Sequence, residues 1–497
     1  MQFSKSKYTT GIQCPKALWL QEYRPEVLSP SNTAALARLE IGKTVGALAC
    51  GLFTPGVKIP YSATHSYQSM IDQTKQLIQN GTEYIYEATF LFEGVLIMVD
   101  ILRNTTEGIE IFEVKSSSDT KAIKDIFFHD IAIQKYTLTN LGFNVLDSYL
   151  VHLNHDYVRG EELDLSSLFT IVNVSSEIEQ LQQNIPLDLQ SLQASLDNEV
   201  EEPETDIGKH CKHPYTCSAK EYCWKTQRGI PDYSLFNIFN IGSKKQLDLY
   251  SKGIVDIGDI PSDYPMTEKQ EQKVFNYKNQ VTHIDKLEIR AFLDTLSYPI
   301  YHLDFETFQQ PVPEWEGISP YQQIPFQYSL HIQHQDGTIE HKEFLAVEGA
   351  DPRQELTERL VGDIPNNVTV LTYNMSFEKG VISKLAQQNT RLSEHLLAIN
   401  SNIYDLMIPF QQKYYVTPQM NGSYSIKYVL PALVPHMKNA YKNLGGVQNG
   451  EEAMNAFANL STLSPEEKAI TRKGLKEYCK LDTLSMLEIL KHLESID

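Results

Sequence analysis

Acidic side chains with spacings that suit metal binding recur in three short motifs of the carboxyl-terminal part of the chain. The motifs are HLDFET with Asp304 and Glu306, YNMSFEKGVI with Asn374 and Glu378, and YCKLD with Tyr478 and Asp482. Residues two apart on a strand, or four apart on a helix, share one face. The carboxylates would repel one another strongly unless cations neutralise them. Two divalent metal ions, one activating water and one stabilising the leaving oxygen, would meet that need and would hydrolyse a phosphodiester.

A second acidic set lies on three successive predicted strands of the amino-terminal part. Glu87 lies in EYIYEATFLF, Asp100 in VLIMVDILR, and Glu113 with Lys115 in GIEIFEVK. Glu113 and Lys115 share a face, and Asp100 interrupts an apolar strand, where an unpaired carboxylate is costly to bury. A divalent cation shared by Asp100 and Glu113 would compensate that cost, and hard oxygen ligands suit Mg²⁺ or Mn²⁺. The alternative interpretation is a half-exposed sheet with ordinary surface charges.

This second set resembles the active site of the RecB-like PD-(D/E)XK nucleases. That family has a metal-binding Asp, an E-x-K motif, and then a helix whose Gln and Tyr contact the active site or DNA. Gln134 and Tyr136 in DIAIQKYTL match the helix, although the family's usual spacing between them is longer. The family's frequent upstream His has no match, and Glu40 stands nearby in LEIGKTVG. The resemblance implies a metal-dependent nuclease site formed by Glu87, Asp100, Glu113, Lys115 and Gln134.

Four of the six cysteines form a third set: Cys14, and Cys211, Cys217 and Cys223 in CKHPYTCSAKEYC. In a cytosolic protein such a cluster indicates metal binding rather than disulfides. Four thiolates bind zinc or an iron–sulfur cluster, and the tight C-x2-4-C pairs typical of zinc are absent. One distant Cys with three close together is similar to certain RecB-like helicase-nucleases and CRISPR adaptation exonucleases, which implies a 4Fe–4S cluster joining the two ends of the domain. Zinc and unrelated buried thiols are the alternatives, and Cys50 is interpreted as a core residue.

The carboxyl-terminal motifs resemble those of the DnaQ-like DEDD exonucleases, in the variant with a tyrosine in the third motif, over about 297–497. The resemblance implies an RNase H-like fold, a 3′–5′ exonuclease, and a role for Tyr478 in positioning the attacking water. The family's second motif normally ends in Asp, and Glu378 stands in its place, which shifts the geometry by one methylene. Asp405 in NIYDLM is interpreted either as a further acidic position or as a helix N-cap. Lys427 is interpreted either as a phosphate contact or as a solvated helix lysine.

Hydrophobic periodicity and turn residues predict the elements that must position these residues. We expect helices within 1–50 and over 64–79 and 119–142 around the first three strands, and a further strand at DSYLVHLN. YPIYHLDFET, IPFQYSLHIQ, TIEHKEFLA and VTVLTYN are predicted strands of a second α/β unit, which ends in a long helix over about 464–493.

The predicted fold class is therefore α/β with two mixed sheets. A restriction-endonuclease-like PD-(D/E)XK domain is expected at 1–228 and an RNase H-like domain at 296–497. The segment 229–295 is predicted as a small helical linker, which faintly resembles a helix-hairpin-helix element between residues 239 and 261.

Composition constrains the function classes. The chain has 497 residues, enough for about two to four domains, and a net charge of −20. A protein that only coats nucleic acid is usually basic, so this balance disfavours coating but allows a nuclease whose metal ions offset its carboxylates. No apolar stretch is long enough to cross a membrane, and MQFSKSKYTTGIQCPK lacks the apolar core of a secretory signal. We therefore expect a cytoplasmic protein without membrane association.

Together these features predict a metal-dependent deoxyribonuclease with two hydrolytic sites, acting in DNA repair, recombination or defence. The expected cofactors are a 4Fe–4S cluster and Mg²⁺ or Mn²⁺, and the expected partner is nucleic acid, with DNA favoured over RNA. The predicted metal ligands are Asp100, Glu113, Asp304, Glu306, Glu378 and Asp482. An RNA-processing exonuclease and a catalytically impaired nucleic-acid-binding scaffold are the alternatives, because DEDD sites serve both polymers and Glu378 departs from the family pattern.

Overall fold

The computed structural model contains two large mixed β-sheets, each with its own helices and hydrophobic core, so the protein is of mixed α/β architecture. It describes residues 3–30, 33–61, 66–118, 125–238 and 241–496. The chain divides into two compact units. The first comprises Met1–Ile230 and Gln310–Tyr321, and the second comprises Pro231–Gln309 and Gln322–Asp497.

Two segments belong to a different unit from the one predicted. Residues 231–295, expected as a separate linker, belong to the second unit because Ile289 and Phe292 enter its core. Residues 310–321, expected in the second domain, belong to the first unit. There, Val312 and Tyr321 pack against buried apolar side chains, and the Arg159 guanidinium donates a hydrogen bond to a backbone carbonyl of the segment.

The first unit contains a seven-stranded sheet. Its strands are β1 (Phe3–Ser4), β2 (Gly56–Lys58), β3 (Tyr84–Phe92), β4 (Val95–Asn104), β5 (Ile109–Lys115), β6 (Val145–Leu153) and β7 (Phe169–Asn173). The order is β2-β3-β4-β5-β6-β7, with β1 paired to the start of β4. β3, β4 and β5 are antiparallel neighbours, whereas β5 and β6 are parallel. Glu93 and Gly94 turn the β3–β4 hairpin with positive φ (44° and 82°), as a tight turn that matches the strand twist requires.

Helices cover both faces of this sheet. They are α1 (Lys5–Gln13), α2 (Pro15–Tyr23), α3 (Thr33–Ala49), α4 (Tyr67–Gln79), α5 (Asp125–Asn140), α6 (Leu165–Leu168), α7 (Ser175–Gln182) and α8 (Ile185–Asp197). Side chains alternate between the two faces along a strand. Ile109 and Ile111 of β5 therefore pack with residues of α1 and α5, while Phe112 packs with residues of α3. Glu113 follows Ile111 by two residues and therefore lies on the same face, which α1 and α5 cover.

The second unit is built on a five-stranded sheet of order β11-β10-β9-β12-β13. Its strands are β8 (His283–Ile284), β9 (Ile300–Phe308), β10 (Ile324–Gln333), β11 (Ile339–Leu345), β12 (Thr369–Thr372), β13 (Ile403–Asp405) and β14 (Tyr415–Val416). β9, β10 and β11 are antiparallel to their neighbours, and β12 runs parallel to both β9 and β13. β8 and β14 form a separate antiparallel pair.

Ten α-helices among the described residues complete the second unit. They are α9 (Ser243–Ser251), α10 (Glu268–Asn279), α11 (Lys286–Leu293), α12 (Arg353–Asp363), α13 (Met375–Gln388), α14 (Ser393–Ser401), α15 (Ile408–Gln411), α16 (Ile426–Leu433), α17 (Gly450–Asn459) and α18 (Pro465–Glu494). α18 begins with a capping box of Ser464 and Glu467. Its Thr483 hydroxyl bonds to Ser329 and His331 of β10, both at 2.7 Å, which holds the helix against the sheet.

The long predicted strands and the last helix lie within two residues of their predicted bounds. The shorter strands, such as β13 and β14, were not predicted, because two or three residues carry no readable periodicity. Of the two helical runs expected within 239–261, the first is α9 and the second is only a 3₁₀ turn, Ile257–Asp259. Residues 64–65 and 119–124 of two predicted helices, and 239–240 of the linker, lie outside the described residues.

No helix within the described ranges combines the length and apolar character needed to cross a membrane.

Candidate functional site

Three elements of the second unit bring the predicted carboxylates together. Asp304 and Glu306 lie two apart on β9, Glu378 lies in the first turn of α13, and Asp482 lies on α18. Asp304 is partly exposed and the other three are buried. A carboxylate oxygen of Asp304, one of Glu306 and the Sγ of Cys479 all lie within 4.8 Å of one another. Glu378 and Asp482 do not belong to this 4.8 Å group, and they are linked to it through the interactions of their charges. Cys479 was not predicted, although its place beside Tyr478 in the YCKLD motif could have indicated it.

Burial and mutual repulsion oppose the ionisation of these carboxyl groups. Burial, and then the charge of Asp482, raise the pKa values of Asp304 and Glu306 well above their ordinary values. Burial raises the pKa of Asp482 to about 6, and burial followed by nearby carboxylates raises the pKa of Glu378 to about 8. Glu378 Oε2 is buried and has no hydrogen-bond partner among the described residues. If ionised together, these carboxylates would carry more negative charge than their surroundings neutralise, which is the condition under which buried carboxylates take up cations.

Two tyrosines and one lysine border this carboxylate cluster. The Tyr441 hydroxyl donates to Asp482 Oδ1 at 2.6 Å. Lys427 Nζ lies 5.6 Å from the ring centroid of Tyr441 and 5.8 Å from that of Tyr478. Its positive charge favours the ionised forms of Glu306 and Asp482. Lys427 is thus an exposed lysine that also adjoins the carboxylates, as the phosphate-contact interpretation requires. Tyr441 was missed because it lies outside the motifs.

The side chain of Asp405 accepts hydrogen bonds from backbone amides beside the carboxylate cluster. Its Oδ1 accepts from the amides of Asn374 and Met407, both at 2.9 Å, and its Oδ2 accepts from the amide of Met375 at 3.1 Å. Asn374 is in the left-handed conformation, with a φ of 78°, and precedes α13. Asp405 is thus the N-cap residue of neither α13 nor α15, whose N-caps are Asn374 and Met407, and its charge also acts on Glu378. Its role is to hold the turn from β12 into α13, which places Glu378.

Glu113 is the centre of a charged network in the first unit. Lys5 Nζ donates to its two carboxylate oxygens at 2.8 and 2.9 Å, Lys115 Nζ to Oε1 at 2.7 Å, and Gln134 Nε2 to Oε2 at 2.8 Å. Lys115 also pairs with Asp130. Burial opposes the ionisation of Glu113, but the ammonium groups of Lys115 and Lys5 outweigh burial and hold its pKa below its ordinary value.

Sequence reasoning missed two members of this network. Asp130 precedes Gln134 by four residues on α5, so the helical spacing could have placed both on one face. Lys5 lies 108 residues before Glu113, and no local pattern connects them. Lys5 is present because α1 packs on the face of the sheet that carries Glu113.

Glu87 and Asp100 lie beside this network, between the paired residues Tyr86–Ile101 and Ala88–Val99 of the β3–β4 ladder. Glu87 has a φ of 59°, a backbone conformation that residues other than glycine rarely adopt. Asp100 Oδ2 accepts a hydrogen bond from the amide of Val114 at 2.8 Å. Burial, and then the charge of Glu113, raise the pKa of Asp100 to about 7, and burial raises the pKa of Glu87. The predicted residues of the amino-terminal site are therefore neighbours.

Two residues of the predicted nuclease resemblance do not join this network. Tyr136 packs its ring edge-on against Phe92, with centroids 6.4 Å apart, as part of the hydrophobic core. Glu40 forms an exposed ion pair with Lys43, with Nζ and Oε1 2.6 Å apart. Gln134 is thus the residue of the predicted helix motif that reaches the carboxylates.

The four cysteines of the third set come together at the junction of the first unit's two ends. Cys14 lies between α1 and α2, and the other three lie between residues 211 and 223. Burial, and to a smaller extent the neighbouring sulfurs of Cys14, Cys211 and Cys223, raise the pKa of Cys217 to about 11. None of them forms a disulfide, and no three of these four sulfurs lie within 4.8 Å of one another. Cys50 is partly buried and packs against the hydrophobic core of the first unit.

Polar groups from α1 and α2 hold the cysteine-bearing segment. The Gln13 side chain donates to the carbonyls of His210 at 2.7 Å and Tyr215 at 2.8 Å. Lys16, which is only 5% exposed, pairs with Glu202 and carries a positive charge that favours the thiolate forms of Cys14 and Cys223. Gathered thiols beside a buried cation are suited to binding a metal centre.

Comparison with known proteins gives a family match within the second unit. Residues 301–425 match a domain of unknown function, DUF2779. That range contains Asp304, Glu306 and Glu378, and it ends before Tyr478 and Asp482. The chain is also 27% identical over 240 residues to an uncharacterized protein, UU173, of Ureaplasma parvum serovar 3. The alignment covers 44% of this chain and 34% of that protein, so this chain matches about a third of its relative's length.

The pKa of Glu378 predicts how stability depends on pH when metal ions are removed. The folded protein, with a pKa of about 8, holds a proton that the unfolded chain, with a pKa of 4.5, releases. This contribution to stability is complete below pH 4.5 and is lost as the pH rises through 8. In EDTA, urea denaturation should therefore show Glu378→Gln gaining several kcal/mol, on the order of 4, relative to wild type between pH 5 and pH 8.

The exposed Glu355→Gln is the matched control for that measurement and should follow wild type at both pH values. If the unfolding free energies of Glu378→Gln and wild type change equally between pH 5 and pH 8, Glu378 is not held in its protonated form by the fold.

Proposed function

We propose that the chain is a metal-dependent nuclease that hydrolyses phosphodiester bonds of DNA, and that the carboxylate cluster of the second unit is its 3′–5′ exonuclease site. One observation carries the proposal: carboxylates from β9, α13 and α18 converge while their pKa values are raised by burial and by one another. Such an arrangement destabilises a protein unless it serves to bind cations. The order of the five-stranded sheet, with three antiparallel strands followed by two parallel ones, suits an RNase H-like domain.

The donor set fits hard divalent cations. Asp304, Glu306, Glu378 and Asp482 would hold Mg²⁺ or Mn²⁺, and the unpartnered Oε2 of Glu378 is a free ligand atom among the described contacts. When bound, these ions activate water and stabilise negative charge on the phosphate and the leaving oxygen. Glu378 has one methylene more than the Asp of the family pattern. Its position in the first turn of α13, held by Asp405, brings its carboxylate within electrostatic reach of Asp482.

The neighbouring side chains have separate roles in this proposal. Burial raises the pKa of Tyr478 far above its ordinary value, so its hydroxyl stays protonated and can donate a hydrogen bond to the attacking water. Lys427 supplies a positive charge for a substrate phosphate, close to the carboxylates but exposed to solvent. Tyr441 keeps Asp482 oriented through its 2.6 Å hydrogen bond.

Loss of one carboxylate should abolish exonuclease activity. With Mn²⁺, a 5′-labelled single-stranded oligonucleotide, and Asp100→Asn in every protein compared to silence the first-unit carboxylates, Asp304→Asn should degrade the 3′ end at least about 100-fold more slowly than the protein that keeps Asp304, because it removes a metal ligand. The exposed Asp294→Asn is the control and should match the Asp100→Asn parent protein. Matched DNA and RNA strands distinguish deoxyribonuclease from RNA-processing activity. If Asp304→Asn degrades the strand as fast as the Asp100→Asn parent, the site is not catalytic, and a wild-type protein that binds without cleaving would indicate a scaffold.

We propose a second, RecB-like nuclease site at the network of the first unit. Its four carboxylates (Glu87, Asp100, Glu113 and Asp130) outnumber the three neighbouring ammonium groups, those of Lys5, Lys58 and Lys115. A divalent cation held by Asp100 and Glu113 would offset the remaining negative charge. Lys115 would then be available to orient water, and Gln134 would continue to orient Glu113 through its 2.8 Å hydrogen bond.

Circular single-stranded DNA tests this second site, because it offers no 3′ end to an exonuclease. The Asp304→Asn protein should still cut it with Mn²⁺, and the double variant Asp304→Asn/Asp100→Asn should not. A circular strand left intact by the Asp304→Asn protein, or cut equally by both proteins, would exclude a nuclease at the Asp100–Glu113 position.

We propose that Cys14, Cys211, Cys217 and Cys223 hold a 4Fe–4S cluster, which supports the fold by joining α1 and α2 to the segment that follows α8. A tetrahedral zinc with Zn–S bonds of about 2.3 Å would bring its sulfurs to about 3.8 Å from one another. No three of these four sulfurs lie within 4.8 Å of one another, so their positions do not match a tetrahedral zinc site. The six free cysteines suit a cytoplasmic location, where thiols stay reduced.

Anaerobically purified wild-type protein should be brown and contain about four iron and four sulfide per chain. Cys223→Ser should lose iron, colour and thermal stability, because one ligand of the cluster is missing. Cys50→Ser is the control and should retain the cluster, since Cys50 packs against the hydrophobic core. One equivalent of zinc without iron in the wild-type protein would favour the zinc alternative.

A further inference from the structure

A large basic cavity in the second unit is not part of the carboxylate cluster. Its volume is about 960 Å³, and its lining comes from Tyr233, α10 with its N-cap residue, residues 283–288, and the chain between residues 410 and 424. Cavities of this size hold small-molecule ligands. Three lysines (Lys269, Lys273 and Lys413) and four tyrosines (Tyr233, Tyr277, Tyr414 and Tyr424) line it.

The three lysines carry positive charge that the described residues do not neutralise. None of the three ammonium groups forms a salt bridge with a carboxylate in the described part of the chain, although Lys273 Nζ donates to the carbonyl of Asn237 at 3.1 Å. Burial, and then the charge of Lys413, lower the pKa of Lys273 to about 8. Burial, and then the charge of Lys269, lower the pKa of Lys413. An anion in the cavity would remove this repulsion.

The two carboxylates that also line the cavity are engaged with other groups. Asp285 Oδ1 accepts from the amide of Glu288 at 3.2 Å and caps α11. Glu288 lies beside the Tyr414 hydroxyl, and loss of hydration and then the charge of Glu288 raise the pKa of that hydroxyl. The lysines therefore determine the character of the cavity.

Gly422 has no side chain, which lets Lys273 and Tyr233 lie close to its backbone at the cavity wall. Gly422 has a φ of 68°, and a Cβ there would lie 2.6 Å from Lys273 Nζ and 2.8 Å from the Tyr233 hydroxyl. The rings of Tyr233 and Tyr277 meet at a centroid distance of 5.6 Å. Ammonium groups and aromatic rings thus share one concave surface, which is the combination that binds phosphates and stacks bases in proteins that hold single strands.

The cavity is connected to the carboxylate cluster through α16. Tyr424 lines the cavity, Ser425 is the N-cap of α16, and Lys427, which adjoins the carboxylates, follows within its first turn. A nucleic-acid strand whose end contacts Lys427 would meet the cavity residues that precede α16 next, and these could bind its following phosphates.

We propose that this cavity binds single-stranded nucleic acid, with phosphates held by Lys269, Lys273 and Lys413 and bases stacked on the tyrosines. The choice of nucleic acid rests on the proposed nuclease function, because free nucleotides offer the same phosphate and base chemistry. The cavity positions the strand, and the carboxylate cluster cleaves it.

Binding without catalysis tests this proposal. The full-length protein is titrated in EDTA into a fluorescein-labelled oligo(dT), and the anisotropy is measured at several salt concentrations. The double variant Lys269→Gln/Lys413→Gln should bind about tenfold more weakly, and its plot of log affinity against log salt should be shallower by about two, one for each lost phosphate contact. Arginine at both positions should preserve binding, because arginine keeps the charge.

Lys384→Gln/Lys473→Gln is the matched control, since both lysines are exposed, lie in the same unit outside the cavity, and remove the same total charge. This control should bind as wild type does. Equal affinity of the two double variants, or no binding by wild type, would overturn the proposal. Competition by deoxythymidine monophosphate as strong as that by the oligonucleotide would assign the cavity to free nucleotides and also overturn it.

The same proteins assayed for nuclease activity separate the two proposals. A wild type that binds through the lysines but never cleaves contradicts the nuclease function and leaves the cavity site standing. A wild type that cleaves, with binding unaffected by Lys269→Gln/Lys413→Gln, contradicts the cavity site alone.

Discussion

Carboxylates buried close together lose hydration and repel one another, and both units of this protein contain such a group. The two units compensate the charge differently. In the first, Lys5 and Lys115 bind Glu113 directly and keep it ionised. In the second, one exposed lysine and two tyrosines border the carboxylates, and none of the four carboxylates forms a salt bridge within the described residues. The second cluster therefore has the greater need for a cation from solution, which is why we propose the principal catalytic site there.

The positions of the charged groups depend on rigid elements and on a few backbone details. β9 presents Asp304 and Glu306 from the middle of the sheet, and α18 is held against that sheet through Thr483. Asp405 binds three amides at the start of α13 and so holds Glu378 in place. Each carboxylate thus comes from an element that is anchored by contacts outside the cluster.

The match to DUF2779 covers the sheet that carries Asp304 and Glu306 but not the helix that carries Tyr478 and Asp482. The carboxylate cluster needs both, so the matched range alone does not contain the full set of groups. The lysine cavity likewise combines residues from α10, which lies before the matched range, with residues from 410–424, which lies inside it. Function is therefore better sought in the whole second unit than in the matched domain.

The sequence by itself determined the long strands, the final helix and the acidic motifs, because these features repeat with the period of a strand or a helix over many residues. It also indicated the cysteine set, because closely spaced cysteines in a sequence are typical of metal binding or disulfides and of little else. Only the tertiary structure showed that Lys5 binds Glu113, that Tyr441 binds Asp482, and that residues 310–321 belong to the first unit. These contacts join residues far apart in the chain. Local periodicity contains no information about them, since they arise when whole helices and sheets pack their apolar faces together.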